Sequence, residues 1–114
     1  MIKAVIIDDE INNQELISNL LKSYAENVQV VGLANSVESA YKAINEHQPD
    51  LIFLDIQMPD GTGFDLLKKF DKINFKIIFV TAHDSFAIRA FKYAAVDYLL
   101  KTIKVTELID AVNR

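Results

Sequence analysis

The chain has 114 residues, 51% hydrophobic and 25% charged, enough apolar material for one core and too little for two. Its net charge is −4 and no basic cluster exceeds Lys68, Lys69 and Lys72, which excludes a nucleic-acid interface on this segment, since phosphate binding needs a positive footprint. With no cysteine, no disulfide framework or thiolate metal site is available; no apolar run reaches the length of a membrane span and no signal-peptide pattern opens the chain, so a cytoplasmic protein is the expectation.

Residues 3–7 read as a buried strand. Residues 12–25 read as a helix with Leu16, Ile17, Leu20, Leu21 and Tyr24 on one stripe. A second strand is predicted over 28–34, followed by a helix capped by Ser36 and running to about Glu46. Pro49 stops that helix and 50–54 forms the third strand. Met58-Pro59-Asp60-Gly61-Thr62-Gly63 is a strong turn signal, and a helix follows to about Phe70. A fourth strand covers 76–81, and Asp84 or Ser85 is expected to cap a helix carrying Ala87, Ala90, Phe91 and Ala94. Residues 96–100 give the fifth strand and 105–113 the last helix.

Strands alternating with helices of this length imply parallel strands joined by right-handed crossovers. Five such units are too few to close an eight-fold barrel, so the expected fold is α/β, an open, doubly wound five-stranded parallel sheet with helices on both faces. Ligands of such sheets sit at the carboxyl ends of the strands. Asp8, Asp9, Asp55, Thr81 and Lys101 all fall at or just after predicted strand ends.

Carboxylates about 4 Å apart repel by roughly 4 kcal/mol at an effective dielectric near 20. Three converging on one edge call for a cation, and Mg²⁺ suits a few carboxylates, a carbonyl and retained waters. With the metal bound, Asp55 can stay ionised and attack phosphorus, Lys101 can neutralise phosphoryl charge, and the Thr81 hydroxyl can donate to a phosphoryl oxygen. Singly, each residue has a plainer role: an Asp after a strand is often a cap, Thr81 a strand residue, Lys101 a solvated charge. The five together need one explanation, and paired Asp8 and Asp9 fit a plain sheet edge poorly. His47 suits a helix C-terminus at the surface, His83 borders the edge as an access group, and Phe86, Phe91 and Tyr93 read as packing groups. No dinucleotide or P-loop glycine motif occurs.

The pattern resembles the receiver domain of bacterial two-component response regulators over essentially the whole chain. It rests on Ile7-Asp8-Asp9-Glu10, on Leu54-Asp55-Ile56-Gln57-Met58-Pro59-Asp60-Gly61, on Val80-Thr81-Ala82-His83, and on Asp97-Tyr98-Leu99-Leu100-Lys101. The segments around Thr81 and Tyr98 look most like receivers joined to LytTR-type DNA-binding domains. The resemblance implies a flavodoxin-like (βα)5 sandwich, one receiver domain over 1–114, with any output domain outside this chain. It implies Asp55 as phosphoacceptor from a sensor histidine kinase, Mg²⁺ held by Asp8, Asp9, Asp55 and the backbone carbonyl of Gln57, and Thr81 with Tyr98 as the switch pair. Such a domain assists its own phosphorylation and dephosphorylation and acts on no external metabolite. It would reach DNA only through the output domain, touch no membrane, and pair through the face of the fourth helix, fifth strand and fifth helix, where Arg89, Lys92, Asp97, Glu107 and Asp110 mix signs.

The family usually has proline after the lysine, joined by a cis bond; here Thr102 follows Lys101. A cis bond before a non-proline residue costs about 2.5–4 kcal/mol, so a trans or visibly strained bond is expected; a trans bond would alter the fifth loop and could displace Lys101, with slower phosphorylation or a less populated active state. The alternatives are a phosphorylation-independent pseudo-receiver acting as an interaction module, and a Mg²⁺-dependent phosphohydrolase. The hydrolase reading lacks its general acid, because Gln57 stands two residues after Asp55.

Overall fold

A computed structural model describes all residues, 1–114. Strands β1 (Ile2–Ile7), β2 (Val28–Ala34), β3 (Leu51–Leu54), β6 (Lys76–Thr81) and β7 (Asp97–Leu100) form one sheet, ordered β2-β1-β3-β6-β7 with every pair parallel. Strands β4 (Gln57–Met58) and β5 (Gly61–Thr62) make a separate antiparallel hairpin directly after Asp55. This is the doubly wound order in which the winding reverses between β1 and β3, and a crevice opens at the carboxyl ends of that pair. The helices are α1 (Ile11–Tyr24), α2 (Val37–His47), α3 (Gly63–Leu67), α4 (Ala87–Phe91) and α5 (Val105–Val112).

The central strands are apolar on both faces, as a sheet covered on both sides requires. Val5, Ile7, Ile52, Leu54, Ile77 and Phe79 pack under α2, α3 and α4. Ala4, Ile6, Phe53, Ile78, Val80 and Leu99 pack under α1 and α5. The carboxyl-end crevice is thus anchored by two cores, one behind each face.

Five local expectations are corrected. The buried stripe of α1 is Gln14, Ile17 and Leu21, with Leu16 and Tyr24 turned outward; the inner face includes a polar side chain that has its own partners. Helix α3 ends at Leu67 rather than near Phe70, and α4 ends at Phe91, before Ala94, which takes a positive φ of 58°. The α4 N-cap is Phe86, without a side-chain cap, rather than Asp84 or Ser85. The Lys101–Thr102 peptide is cis, which corrects the trans form of the expectation. By contrast, Ser36 caps α2 as expected, accepting the Ser39 amide at 3.0 Å within a reciprocal capping box.

Candidate functional site: an acidic cluster at the switch point

Parallel pairing of β1 with β3 brings Ile7 level with Leu54, so the residues that follow emerge side by side. Carboxylate oxygens of Asp8, Asp9 and Asp55 all lie within 4.8 Å of one another. Asp8 and Asp55 are buried, whereas Asp9 is exposed at the mouth.

Lys101 comes from the far edge of the crevice. Its amide donates to the Thr81 carbonyl at 2.9 Å, which fixes the end of β7 against β6. Its Nζ stands 2.9 Å from Asp8 Oδ2, 2.9 Å from Asp55 Oδ2 and 3.6 Å from Glu10 Oε1. With the Lys101–Thr102 bond cis, Lys101 reaches both acids, without the displacement expected of a trans bond. Asp8 Oδ1 accepts the Glu10 amide at 2.9 Å, and Asp55 Oδ1 accepts the Ile56 amide at 2.7 Å. Asp8 Oδ2 is buried, and its one partner is the Lys101 ammonium at 2.9 Å. Three carboxylates gathered around a single ammonium suit a hard divalent cation.

Electrostatics agree with that reading. Burial pushes the Asp8 carboxyl above its usual range, against the Glu10 amide and Lys101, while the Asp55 charge adds to the rise. Burial alone would lower Lys101, but its bonds to Asp55 and Asp8 outweigh this and hold it above its ordinary value. The ammonium is thus well satisfied, and Asp8 is only partly compensated.

Thr81 is fully buried at the end of β6, where its Oγ1 accepts the His83 amide at 3.4 Å. Tyr98 lies on β7 beside Phe79, with ring centroids 5.9 Å apart, and its hydroxyl donates to the His83 carbonyl. Thr81 and Tyr98 therefore grip the same loop at His83 from two strands. Tyr98 does not reach the acidic cluster. Gln57 opens the β4–β5 hairpin two residues beyond Asp55. His47 and His83 both lie outside the cluster.

Three contributors escape sequence reading. Gln14, buried, donates through Nε2 to the carbonyls of Asp8 at 2.7 Å and Ala34 at 3.0 Å, stapling the ends of β1 and β2. Its signal was a polar residue on the same helical face as Ile17 and Leu21. Glu10 lies beside Lys101, and Asp60 spans to α2; nothing in their spacing marks either contact. Gly63 is required for close approach, since a Cβ there would stand 2.7 Å from the Asp55 carbonyl oxygen.

The model of the response regulator receiver domain matches residues 4–113. The chain belongs to this family. An uncharacterized response regulatory protein from Vibrio parahaemolyticus is 44% identical over 115 residues, covering 100% of this chain and 47% of the relative. The sensory transduction protein LytT of Bacillus anthracis is 33% identical over 116 residues, covering 100% of this chain and 47% of its own. The receiver thus spans about half the length of the curated relatives it matches. Among solved structures, the REC domain of AraT, a response regulator from Geobacillus stearothermophilus, superposes with a TM-score of 0.88 at 30% identity, covering 98% of this chain and 90% of that one. The response regulatory domain of mrkE from Klebsiella pneumoniae gives a TM-score of 0.88 at 28% identity, covering 97% and 92%. No helix of the receiver is long and apolar enough to cross a membrane.

Proposed function

We propose that this receiver is a phosphorylation-dependent switch that accepts a phosphoryl group on Asp55 from a sensor histidine kinase. The observation that carries the reading is the cluster itself: three carboxylates within 4.8 Å, with Lys101 Nζ 2.9 Å from Asp8 and from Asp55. Mg²⁺ would be held by Asp8, Asp9, Asp55 and the backbone carbonyl of Gln57, and when bound it supplies the positive charge that lets an anionic phosphoryl group approach an anionic nucleophile.

A carboxylate oxygen of Asp55 attacks phosphorus as the bond from phosphorus to the donor's imidazole nitrogen breaks. The bonding pair stays with the imidazole, which takes up a proton. Asp55 is suited to this because it is buried yet keeps one oxygen beside an ammonium and the other on the Ile56 amide. Lys101 turns from the free carboxylate to the phosphoryl oxygens, trading one anionic partner for another. Thr81 donates its hydroxyl to a phosphoryl oxygen. Moving Thr81 disturbs the His83 loop, which Tyr98 also holds, so phosphorylation biases the loop and the face formed by α4, β7 and α5. Water attack on the same aspartyl phosphate resets the switch.

The output is proposed to be transcriptional, through a LytTR-type domain beyond this segment, with DNA touched only there; the LytT relative supports this. The α4–β7–α5 face exposes Ile88 (81%), Phe91 (54%) and Leu100 (44%) beside Arg89, Lys92 and Glu107, which suits a two-fold homodimer. The proposed setting is the cytoplasm. The test is intact mass after incubation with acetyl phosphate and Mg²⁺. One phosphate adduct, lost in Asp55→Asn and without Mg²⁺, is expected. No adduct, with beryllofluoride also failing to bind, would overturn the reading in favour of a pseudo-receiver.

A further inference from the structure

The hairpin after Asp55 ends in a carboxylate that belongs to neither core and to none of the roles above. Asp60 sits exposed at its tip, and both of its oxygens are used. Oδ1 accepts the Val37 amide at 2.7 Å, and Oδ2 accepts the Glu38 amide at 3.0 Å. These are first-turn amides of α2 that the helix cannot satisfy by itself, and they lie at its positive end. The two amide bonds hold the Asp60 carboxyl below its usual range.

Within α2's own capping box Ser36 and Ser39 exchange bonds, which leaves the Val37 and Glu38 amides to Asp60. Because this acceptor pair reaches across 23 residues, it ties the hairpin to α2 as well as completing the cap. Its other consequence falls on the hairpin. Gln57 pairs with Thr62 and Met58 with Gly61, so the tip and the start of the hairpin move as one short ladder. The Gly63 amide donates to the Ile56 carbonyl at 2.7 Å, and Thr62 is locked to Asp65 by a reciprocal box at 2.9 and 3.1 Å. On the α3 side the hairpin is therefore fixed at its base. On the α2 side Asp60 supplies two side-chain bonds.

We infer that Asp60 is a positioning residue for the cation site: by bracing the β4–β5 tip on the α2 N-terminus, it sets the backbone of Gln57 relative to Asp55. The inference rests on the receiver reading above, in which the Gln57 carbonyl is a metal ligand. A carbonyl is placed only by its backbone, so the brace acts on metal affinity without touching the metal.

The test compares the wild-type receiver with Asp60→Ala, Asp60→Asn and Ser36→Ala. Mg²⁺ affinity is measured by titration calorimetry, hydrogen exchange of the Gly63 amide in metal-free protein, and stability by urea unfolding. Ser36→Ala weakens α2 but leaves the brace, so it separates helix stability from positioning. Asp60→Ala is expected to raise the Mg²⁺ Kd about three- to tenfold, at or just below the range for losing an outer-shell partner, and to speed Gly63 exchange. Asp60→Asn, with one acceptor oxygen, should fall between. Ser36→Ala should lose stability with Kd and Gly63 exchange unchanged. An unchanged Kd in Asp60→Ala, or an equal rise in Ser36→Ala, overturns the inference. A wild-type chain that takes up no Mg²⁺ overturns the receiver reading instead; unaltered Gly63 exchange in Asp60→Ala would then overturn the brace separately.

Discussion

Replacing Lys101 with methionine keeps much of the side chain's bulk and removes the one cation held between Asp8 and Asp55. At an effective dielectric near 20, a charge pair at 2.9 Å is worth about 6 kcal/mol, and carboxylates no more than 4.8 Å apart repel by at least about 3.5 kcal/mol. Desolvation of the ammonium offsets much of the attraction, since its side chain is only 14% exposed. Removing one partner of a buried pair generally costs 3–5 kcal/mol, and with Asp9 open to water the lower end applies, about 3 kcal/mol without metal near neutral pH. The pH dependence follows from Asp8, whose folded-state pKa already lies above the unfolded value of 3.8 and rises further without Lys101. A group raised in this way contributes its stability fully below the unfolded value and loses it as pH rises through the folded one. The deficit of Lys101→Met should therefore be small at about pH 4 and full at about pH 7.5. Mg²⁺ should replace the missing charge, binding the variant more tightly than wild type and recovering most of the loss; at about 100 times Kd a ligand adds about 2.7 kcal/mol. Urea unfolding at both pH values, with and without Mg²⁺, measures each quantity. A loss under about 1 kcal/mol at pH 7.5, or a deficit indifferent to both pH and Mg²⁺, would refute the electrostatic account.

Asp8→Asn should stabilise the metal-free receiver near neutral pH, because burial disfavours the Asp8 charge, and should weaken Mg²⁺ binding severely; urea midpoints and calorimetry check the pair. Gly63→Ala should cost about 1–3 kcal/mol, since the added carbon meets backbone oxygen at 2.7 Å and neither can swing away; a stability like wild type would show that the hairpin yields. Gln14→Leu should cost about 1–3 kcal/mol by stranding the Asp8 carbonyl, while the Ala34 carbonyl keeps the Asp8 amide; chemical unfolding measures it. In wild type, the ion pairs of Lys101 are fully present below its ordinary value of 10.5 and are lost as pH rises through the higher folded value; an alkaline unfolding limb that weakens in Lys101→Met tests this.

The sequence by itself determined the order of strands and helices, the parallel sheet and the edge on which the acids emerge. Hydrophobic runs such as Leu51–Leu54 are local, and a run that ends on Asp55 carries its own boundary. The Ser36 cap was equally legible, since its partner lies three residues away. The tertiary structure alone decided the contacts that join distant elements. Lys101 and Asp55 lie 46 residues apart, and Gln14 bonds Ala34 across 20, so neither pairing leaves a periodic trace. The outward turn of Leu16 and Tyr24 depends on which face of α1 the sheet and α5 cover, which a stripe of apolar residues cannot specify when a polar side chain finds buried partners. Asp60 reads in the sequence as a turn residue; only the approach of α2 turns its carboxylate into a tie between two elements.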